Sequence, residues 1–163
     1  EGGIRMPALC HWPGGIEAGQ VLDLPCASMD IFPTAMGAAG ADVVPYEVDG
    51  QSLLPYLAQG DALPQRDLMW EMGKQTAIRR GDWKLVLNGQ LVEGAPPDDD
   101  IHLAHLGNDM GETINLKHED PRQTQDLKEA AESWRAGIEE RWETEFLHED
   151  RRTSSQPRPV THA

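Results

Sequence analysis

Cysteine is scarce in this chain of 163 residues, which contains two, Cys10 and Cys26. Neither belongs to a C-x-x-C pair, and no paired histidine motif accompanies them. The sequence therefore indicates neither a zinc site nor a disulfide framework. Cys10 lies in a short apolar run, and because free cysteine is usually buried, we expect it in the core.

Basic residues are also few, since 14 lysines and arginines stand against 28 acidic residues, for a net charge of −14. This charge repels phosphate backbones and anionic lipid surfaces, which argues against nucleic acid or a membrane surface as a partner. No apolar run approaches the length of about 18 residues that a membrane helix needs. Hydrophobic residues at 39% and charged residues at 26% are typical of a globular domain with some disordered segments.

Residues 1–14 organise the rest of the chain. Gly2 and Gly3 relieve steric limits on the backbone, Arg5 follows, and an apolar run then stops at the turn Pro13-Gly14. This pattern predicts a loop that feeds one buried strand. The next segments contain no comparable apolar run that could pair with it, so we expect the chain to be cut from something larger.

Two short helices are predicted next. Ser28 is a candidate N-cap for a helix over residues 29–39, and its apolar stripe of Met29, Phe32 and Met36 is expected to pack into the core. A second helix is predicted to begin at Ser52 and to end at Gly60.

Four strands are predicted after these helices, at residues 68–70, 76–79, 83–87 and 101–106, and together they favour a small antiparallel sheet. Residues 88–100 between the last two strands read as an exposed acidic loop. Its three adjacent aspartates lack the alternating spacing of a calcium loop, so we interpret them as solvated.

The strongest helical pattern begins at Asp120-Pro121 and is expected to lie across the sheet. One apolar stripe runs along it, formed by Leu127, Ala131, Trp134, Ile138, Trp142 and Phe146. Because aromatic side chains bury large areas, removing Trp134 is expected to unfold this part more surely than any charge reversal. Residues 149–163 are predicted to form a disordered tail.

Five segments in a fixed order carry a family resemblance. They are E-G-G-I-R-M-P-A followed by W-P-G within residues 1–14, S-M-D-I-F-P-T at 28–34, D-G-Q-S-L-L-P at 49–55, R-R-G-D-W-K-L at 79–85, and D-M-G-E-T-I-N-L at 109–116. This series resembles the C-terminal region of the arylsulfatase-type sulfatases, in the alkaline-phosphatase-like superfamily. Five ordered matches are far more specific than any one of them.

The resemblance implies an α+β fold. The terminal strand and helices of an α/β sulfatase core are followed by a four-stranded antiparallel sheet that is packed by a long C-terminal helix. Residues 1–60 would end the catalytic domain, residues 61–148 would form the sheet-and-helix subdomain, and residues 149–163 would be the tail.

The resemblance also implies a hydrolase of sulfate esters, in which a cysteine or serine of a C/S-x-P-x-R motif is oxidised to formylglycine and a calcium ion helps to neutralise the sulfate. Neither Cys10 nor Cys26 matches that motif, and the family's metal-binding segments precede the E-G-G run. We therefore assign no catalytic or metal-binding residue here and expect this chain alone to be inactive. Its expected partner is the missing N-terminal catalytic part, which would hold the calcium and the formylglycine.

Five residues are candidates for substrate contact, namely Arg5, Trp70, Glu71, Lys74 and His105. Arg5 follows the family's sulfate-contacting lysine, although a structural ion pair is the alternative. Trp70, Glu71 and Lys74 lie at the end of a strand, where a sugar could stack on the indole, although Trp70 also fits a core position. His105 stands where the family often has Asp or Asn, and a hydrogen-bonded surface histidine is the alternative.

A second function of a different class stays open at this point. The chain could be a free-standing, noncatalytic interaction module derived from a sulfatase, whose acidic face or first strand pairs with another chain. A C/S-x-P-x-R motif in the reading frame before Glu1 would favour the enzyme, whereas a start codon near Glu1 would favour the module. Sulfated polysaccharides and sulfated small molecules are not distinguished, and a periplasmic or extracellular location is expected from the family alone.

Overall fold

The computed structural model of the chain describes residues 1–41, 47–89 and 100–147. The chain divides into two compact units, Glu1–Leu68 and Met69–Ala163. The predicted tail at 149–163 and all but the ends of the predicted acidic loop lie outside the described residues.

The prediction of an N-terminal strand is wrong, because residues 1–41 of the first unit contain no strand. Residues 2–4 form a turn, closed by the N–H groups of Ile4 and Arg5 on the carbonyl of Glu1, and no regular structure follows before residue 28. Leu9 is 95% exposed, and Cys10 is exposed rather than buried as predicted. A strand forms only where a neighbouring strand accepts and donates its backbone hydrogen bonds, and residues 1–41 contain none.

Helix α1 spans Ile31–Ala38 and follows a 3₁₀ turn at Ser28–Asp30. The predicted helix is present, but its predicted apolar face is wrong, because Met29 is 38% and Phe32 47% exposed. The face that packs is rotated by about one residue: Asp30 and Pro33 are buried on it. Hydrogen bonds to Asp30, described below, fix this orientation.

A single π-helical turn at Pro55–Gln59 forms where the second short helix was predicted. It ends at Gly60, whose φ of 72° lies in the left-handed region that favours glycine at a helix end.

The predicted antiparallel sheet belongs to the second unit, except that its first strand begins two residues earlier, at Asp67. Its strands are β1 (Asp67–Met72), β2 (Gln75–Arg80), β3 (Trp83–Leu87) and β4 (Ile101–His105), and within the described residues they lie side by side in chain order. β2 pairs antiparallel with β3, and β3 with β4, so that Ile78, Leu85 and Leu103 form one row across the sheet. Gly81, at φ 60°, makes the tight turn between β2 and β3.

Helix α2 spans Pro121–Arg141 and packs on this sheet, as predicted. Its buried side chains are Leu127 and Ala131, which join the row of Ile78, Leu85 and Leu103 in the core.

Only the first half of the predicted stripe on α2 is buried, so the prediction that the whole stripe packs on the sheet is wrong. Ile138 is 39% and Trp142 57% exposed, and Trp134 is half-buried. The helix continues into a π-helical turn at Trp142–Phe146, whereas strands of five or six residues cover about three helical turns. No helix among the described residues is both long and apolar enough to cross a membrane.

Candidate functional site

The face of the sheet opposite α2 carries basic side chains. Side chains alternate between faces along each strand, so the neighbours of the core row point away from the helix. These are Arg79, which pairs in register with Lys84, and His102, which pairs with Val86. Lys84 is 4% and His102 8% exposed.

A buried carboxylate already binds the central lysine of this face. The ammonium of Lys84 lies 2.9 Å from Oε2 and 2.8 Å from Oε1 of Glu112. Burial alone raises the pKa of Glu112, but the hydrogen bond and positive charge of Lys84 hold it below its ordinary value. The pair joins β3 to the segment after β4, which is a structural role.

The segment D-M-G-E-T-I-N-L at 109–116 is a hydrogen-bonded turn. The carboxylate of Asp109 accepts the N–H groups of Thr113 at 2.7 Å and Ile114 at 2.9 Å. The bond from Ile114, followed by those from Thr113, holds the pKa of Asp109 below its ordinary value.

Asn115 attaches this turn to the edge of the sheet. Its Oδ1 accepts the N–H of Leu103 at 3.0 Å, and its Nδ2 donates to the carbonyl of Ile101 at 2.8 Å. The Asp, Glu and Asn of this motif therefore serve the fold, because each satisfies backbone groups or a buried charge.

A second buried carboxylate organises the first unit. Asp30 is 0% exposed and forms a two-pronged ion pair with Arg66, in which Nη1 lies 2.7 Å from Oδ1 and Nη2 contacts Oδ2. It also accepts the N–H groups of Ala27 at 2.8 Å and Gln51 at 3.0 Å. Burial raises the pKa of Asp30, but these hydrogen bonds, that of Arg66 first, lower it below its ordinary value.

The same contacts bring two of the sequence motifs together. The hydroxyl of Thr34 donates to the carbonyl of Asp30 at 2.6 Å and accepts the N–H of Leu53 at 2.9 Å. A Cβ on Gly50 would lie 2.0 Å from the carbonyl oxygen of Met29, so only glycine fits there. S-M-D-I-F-P-T and D-G-Q-S-L-L-P are thus two halves of one structural junction.

The five predicted substrate contacts do not form one cluster. Arg5 is exposed in the first unit. In the second unit, Trp70 is half-buried in β1, while Glu71 and Lys74 are exposed at and after its end. His105 is half-buried at the end of β4, where its ring meets that of Trp83 edge-on at 4.7 Å.

Strand register separates Lys74 from His105. The carbonyl of Lys74 accepts the side-chain amide of Asn88, just beyond the end of β3, whereas His105 pairs with Trp83 at its start. The two residues therefore lie at opposite ends of the sheet.

Arg66, which forms the ion pair with Asp30, was not predicted from the sequence, because it belongs to none of the five motif segments.

Calcium and formylglycine, the groups that the family resemblance implies, do not fit the residues described. Within ranges 1–41, 47–89 and 100–147, no group of three or more His, Cys, Asp or Glu side chains could hold a metal ion. Cys10 and Cys26 are free and exposed, and neither stands in a C-x-P-x-R segment.

Comparisons with known proteins agree with this fold. No protein-family model matches the chain. N-acetylgalactosamine-6-sulfatase of Rattus norvegicus is 36% identical over 144 residues, which cover 72% of this chain and 27% of the relative. Arylsulfatase A of Homo sapiens is 36% identical over 136 residues, which cover 71% of this chain and 27% of the relative. The chain thus spans about a quarter of the length of both relatives (27%).

A solved structure shows the same fold. The crystal structure of Ps i-CgsB in complex with k-i-k-neocarrahexaose superposes with a TM-score of 0.61 at 22% identity, covering 76% of this chain and 27% of that one. The sheet, the helix packed on it and the ordered motifs define the C-terminal region of a sulfatase. Among sulfatases, the chain belongs with the arylsulfatase type.

Proposed function

We propose that the chain is the C-terminal part of an enzyme that hydrolyses sulfate esters, where it completes the fold and shapes the substrate pocket. The observation that carries this proposal is the use of the residues in the family-like motifs: Asp30, Glu112 and Asn115 each make structural contacts rather than gather into a reactive group. A scaffold of this kind supports chemistry that is supplied elsewhere.

The partner that we propose is the N-terminal catalytic part of the same enzyme. The first unit exposes Met6 at 81%, Leu9 at 95%, Val21 at 96% and Ile31 at 68%. Several large apolar side chains exposed to this degree favour an interaction surface. In this proposal residues 1–60 finish the catalytic domain and residues 61–148 flank the pocket, while calcium and formylglycine belong to the N-terminal part.

The substrate that we propose is a sulfated small molecule or polysaccharide, and from the family resemblance we also propose a periplasmic or extracellular location. Arg5, Trp70, Glu71, Lys74 and His105 remain candidates for contact with it. Of these, Trp70 and Lys74 are the best supported, because a half-buried indole in β1 and an exposed ammonium just after β1 suit contact with a sugar and with a sulfate.

A chimera tests the proposal directly. The C-terminal region of human arylsulfatase A that matches this chain is replaced by the chain, and hydrolysis of a chromogenic aryl sulfate is measured. We expect the chimera to turn over substrate and the purified chain alone to be inactive.

Two results would contradict the proposal. Turnover by the chain alone would show that it holds its own catalytic groups. A chimera that folds, as judged by circular dichroism and a cooperative melt, yet has no activity would show that the chain does not perform the C-terminal role.

A further inference from the structure

We propose that Asn88-Gly89 is a site of spontaneous deamidation, at which Asn88 is converted to aspartate and isoaspartate. The sequence contains two Asx-Gly dipeptides, Asp49-Gly50 and Asn88-Gly89. Glycine after Asn or Asp leaves the next backbone nitrogen unhindered by a Cβ, which favours attack on the side-chain carbonyl carbon.

The structure distinguishes these two dipeptides. Gly50 is held against the carbonyl of Met29, and the N–H of the following Gln51 is bound to Asp30. A backbone locked in this way cannot rotate to bring its nitrogen onto the Asp49 side chain. Asp49-Gly50 is therefore protected by the packing of the first unit.

Asn88 is placed very differently. It is exposed, lies just beyond the last residue of β3, and has a φ of 56°, in the left-handed region that asparagine tolerates. Its N–H donates to the carbonyl of Asp100 at 2.7 Å, and its Nδ2 donates to the carbonyl of Lys74 at 3.2 Å. Strand ends open at low free-energy cost, so the residue can reach the reactive conformation.

The other two asparagines provide internal comparisons. Asn108 is exposed as well, but the residue that follows it is Asp109, whose Cβ hinders attack. Asn115 is half-buried, with both side-chain atoms bonded to β4 backbone groups, and is followed by Leu116. Exposure and a following glycine coincide at Asn88 alone among the three.

The reaction needs only water. The backbone nitrogen of Gly89 attacks Cγ of Asn88, an N–C bond forms, and the bond from Cγ to Nδ2 breaks. Ammonia leaves with the proton of the Gly89 amide, and a cyclic imide remains. Water then opens the ring at either carbonyl, which gives aspartate or isoaspartate with one new oxygen atom.

The modification acts on a specific contact. The product carboxylate has no N–H to donate to the Lys74 carbonyl, so the link between the β1–β2 turn and the end of β3 is lost. Two oxygens then face each other in place of a donor and an acceptor. Deamidation is thus expected to loosen this end of the sheet and to add a negative charge to an already acidic chain.

Peptide mapping of the full chain tests the proposal. The chain is incubated in mildly alkaline buffer made with oxygen-labelled water, in its native state and in urea. We expect Asn88 to become aspartate and isoaspartate with one labelled oxygen, several-fold faster than Asn108 and Asn115. If native Asn88 stays intact while the urea-unfolded chain reacts, or if Asn108 reacts faster, the proposal is wrong.

Two glycine variants test the role of Gly89 in the reaction. Gly89→Ala is expected to slow the reaction several-fold in the native chain and in urea, whereas Gly137→Ala, at an open helical position, leaves the rate unchanged. An unchanged rate for Gly89→Ala in urea would overturn the mechanism even if the native variant were misfolded.

The consequence is tested by Asn88→Asp, compared with Asn108→Asp as a control with the same charge change. We expect Asn88→Asp to lower the urea midpoint of unfolding clearly more than Asn108→Asp. Equal midpoints would show that the contact with Lys74 contributes nothing.

Discussion

Asp30 in the first unit and Glu112 in the second are buried carboxylates that form ion pairs. Asp30 pairs with Arg66 and Glu112 with Lys84, and each carboxyl has a lowered pKa. A carboxyl group whose pKa is lower in the folded state stabilises the fold above its unfolded pKa, and that contribution is lost as the pH falls through the folded value.

Asp30→Asn is expected to lower the free energy of unfolding by about 2 kcal/mol at neutral pH, because the ion pair with Arg66 is lost while a side-chain oxygen remains to accept N–H groups. In the parent chain, stability should hold from neutral pH to about pH 5 and then fall as the pH drops through the folded pKa values. Urea unfolding at a series of pH values measures both effects. An acid limb that is as steep in the variant as in the parent would show that Asp30 is not a source of it.

Gly50→Ala is expected to destabilise the first unit by about 3 kcal/mol, because its Cβ would overlap the Met29 carbonyl and neither backbone segment can move without breaking bonds to Asp30. Gly137→Ala is the matched control. Its Cβ meets nothing within 4 Å, and in a helix alanine is favoured over glycine by about 0.5–1 kcal/mol. Chemical denaturation followed by circular dichroism compares the two, and equal stabilities would refute the role of Gly50.

At the scale of elements, α2 is held on the sheet by contacts made along its length from Leu127 to Arg135. Leu127 and Ala131 are 0% exposed against the sheet. Farther along, Arg135 donates to the carbonyl of Gly73 at 2.8 Å and to the hydroxyl of Thr76 at 2.9 Å, which fixes the helix over the β1–β2 turn. Beyond Arg135 the helix carries exposed apolar side chains, so its last turns add little to the packing.

Leu127→Ala is therefore expected to cost about 3 kcal/mol, more than the removal of the half-buried Trp134 that the sequence alone singled out. Ile138→Ala, on the same stripe but 39% exposed, should cost less than about 1 kcal/mol. Thermal or urea unfolding of the three variants gives the order. If Trp134→Ala is the most damaging, Leu127 does not dominate the docking of α2.

At the scale of the whole molecule, the sequence pattern predicted correctly those elements whose contacts join neighbouring segments of the chain. The predictions of the antiparallel sheet and of α2 were correct because β2, β3 and β4 pair with their neighbours in the chain. Short turns such as Gly81-Asp82 set the register of these strands. The contacts of Asp30 with Arg66 and of Lys84 with Glu112 were not predictable, since 36 and 28 residues separate the partners. The strand at Leu9 and the buried Cys10 were wrong, because an apolar run specifies a strand only when a sheet is present to receive it.

The exposed apolar side chains of the first unit can be tested as the interface with the catalytic part. Leu9→Asp and Ile31→Asp are expected to change the stability of the chain alone by less than about 0.5 kcal/mol, because both side chains are exposed in it. In the arylsulfatase A chimera, the same changes should abolish folding and activity, because a charge would be buried in the proposed interface. Met110→Asp, at a side chain 54% exposed in the second unit, is the control and should leave the chimera active. Full activity of the Leu9 and Ile31 variants would mean that the first unit does not meet the catalytic part through this surface.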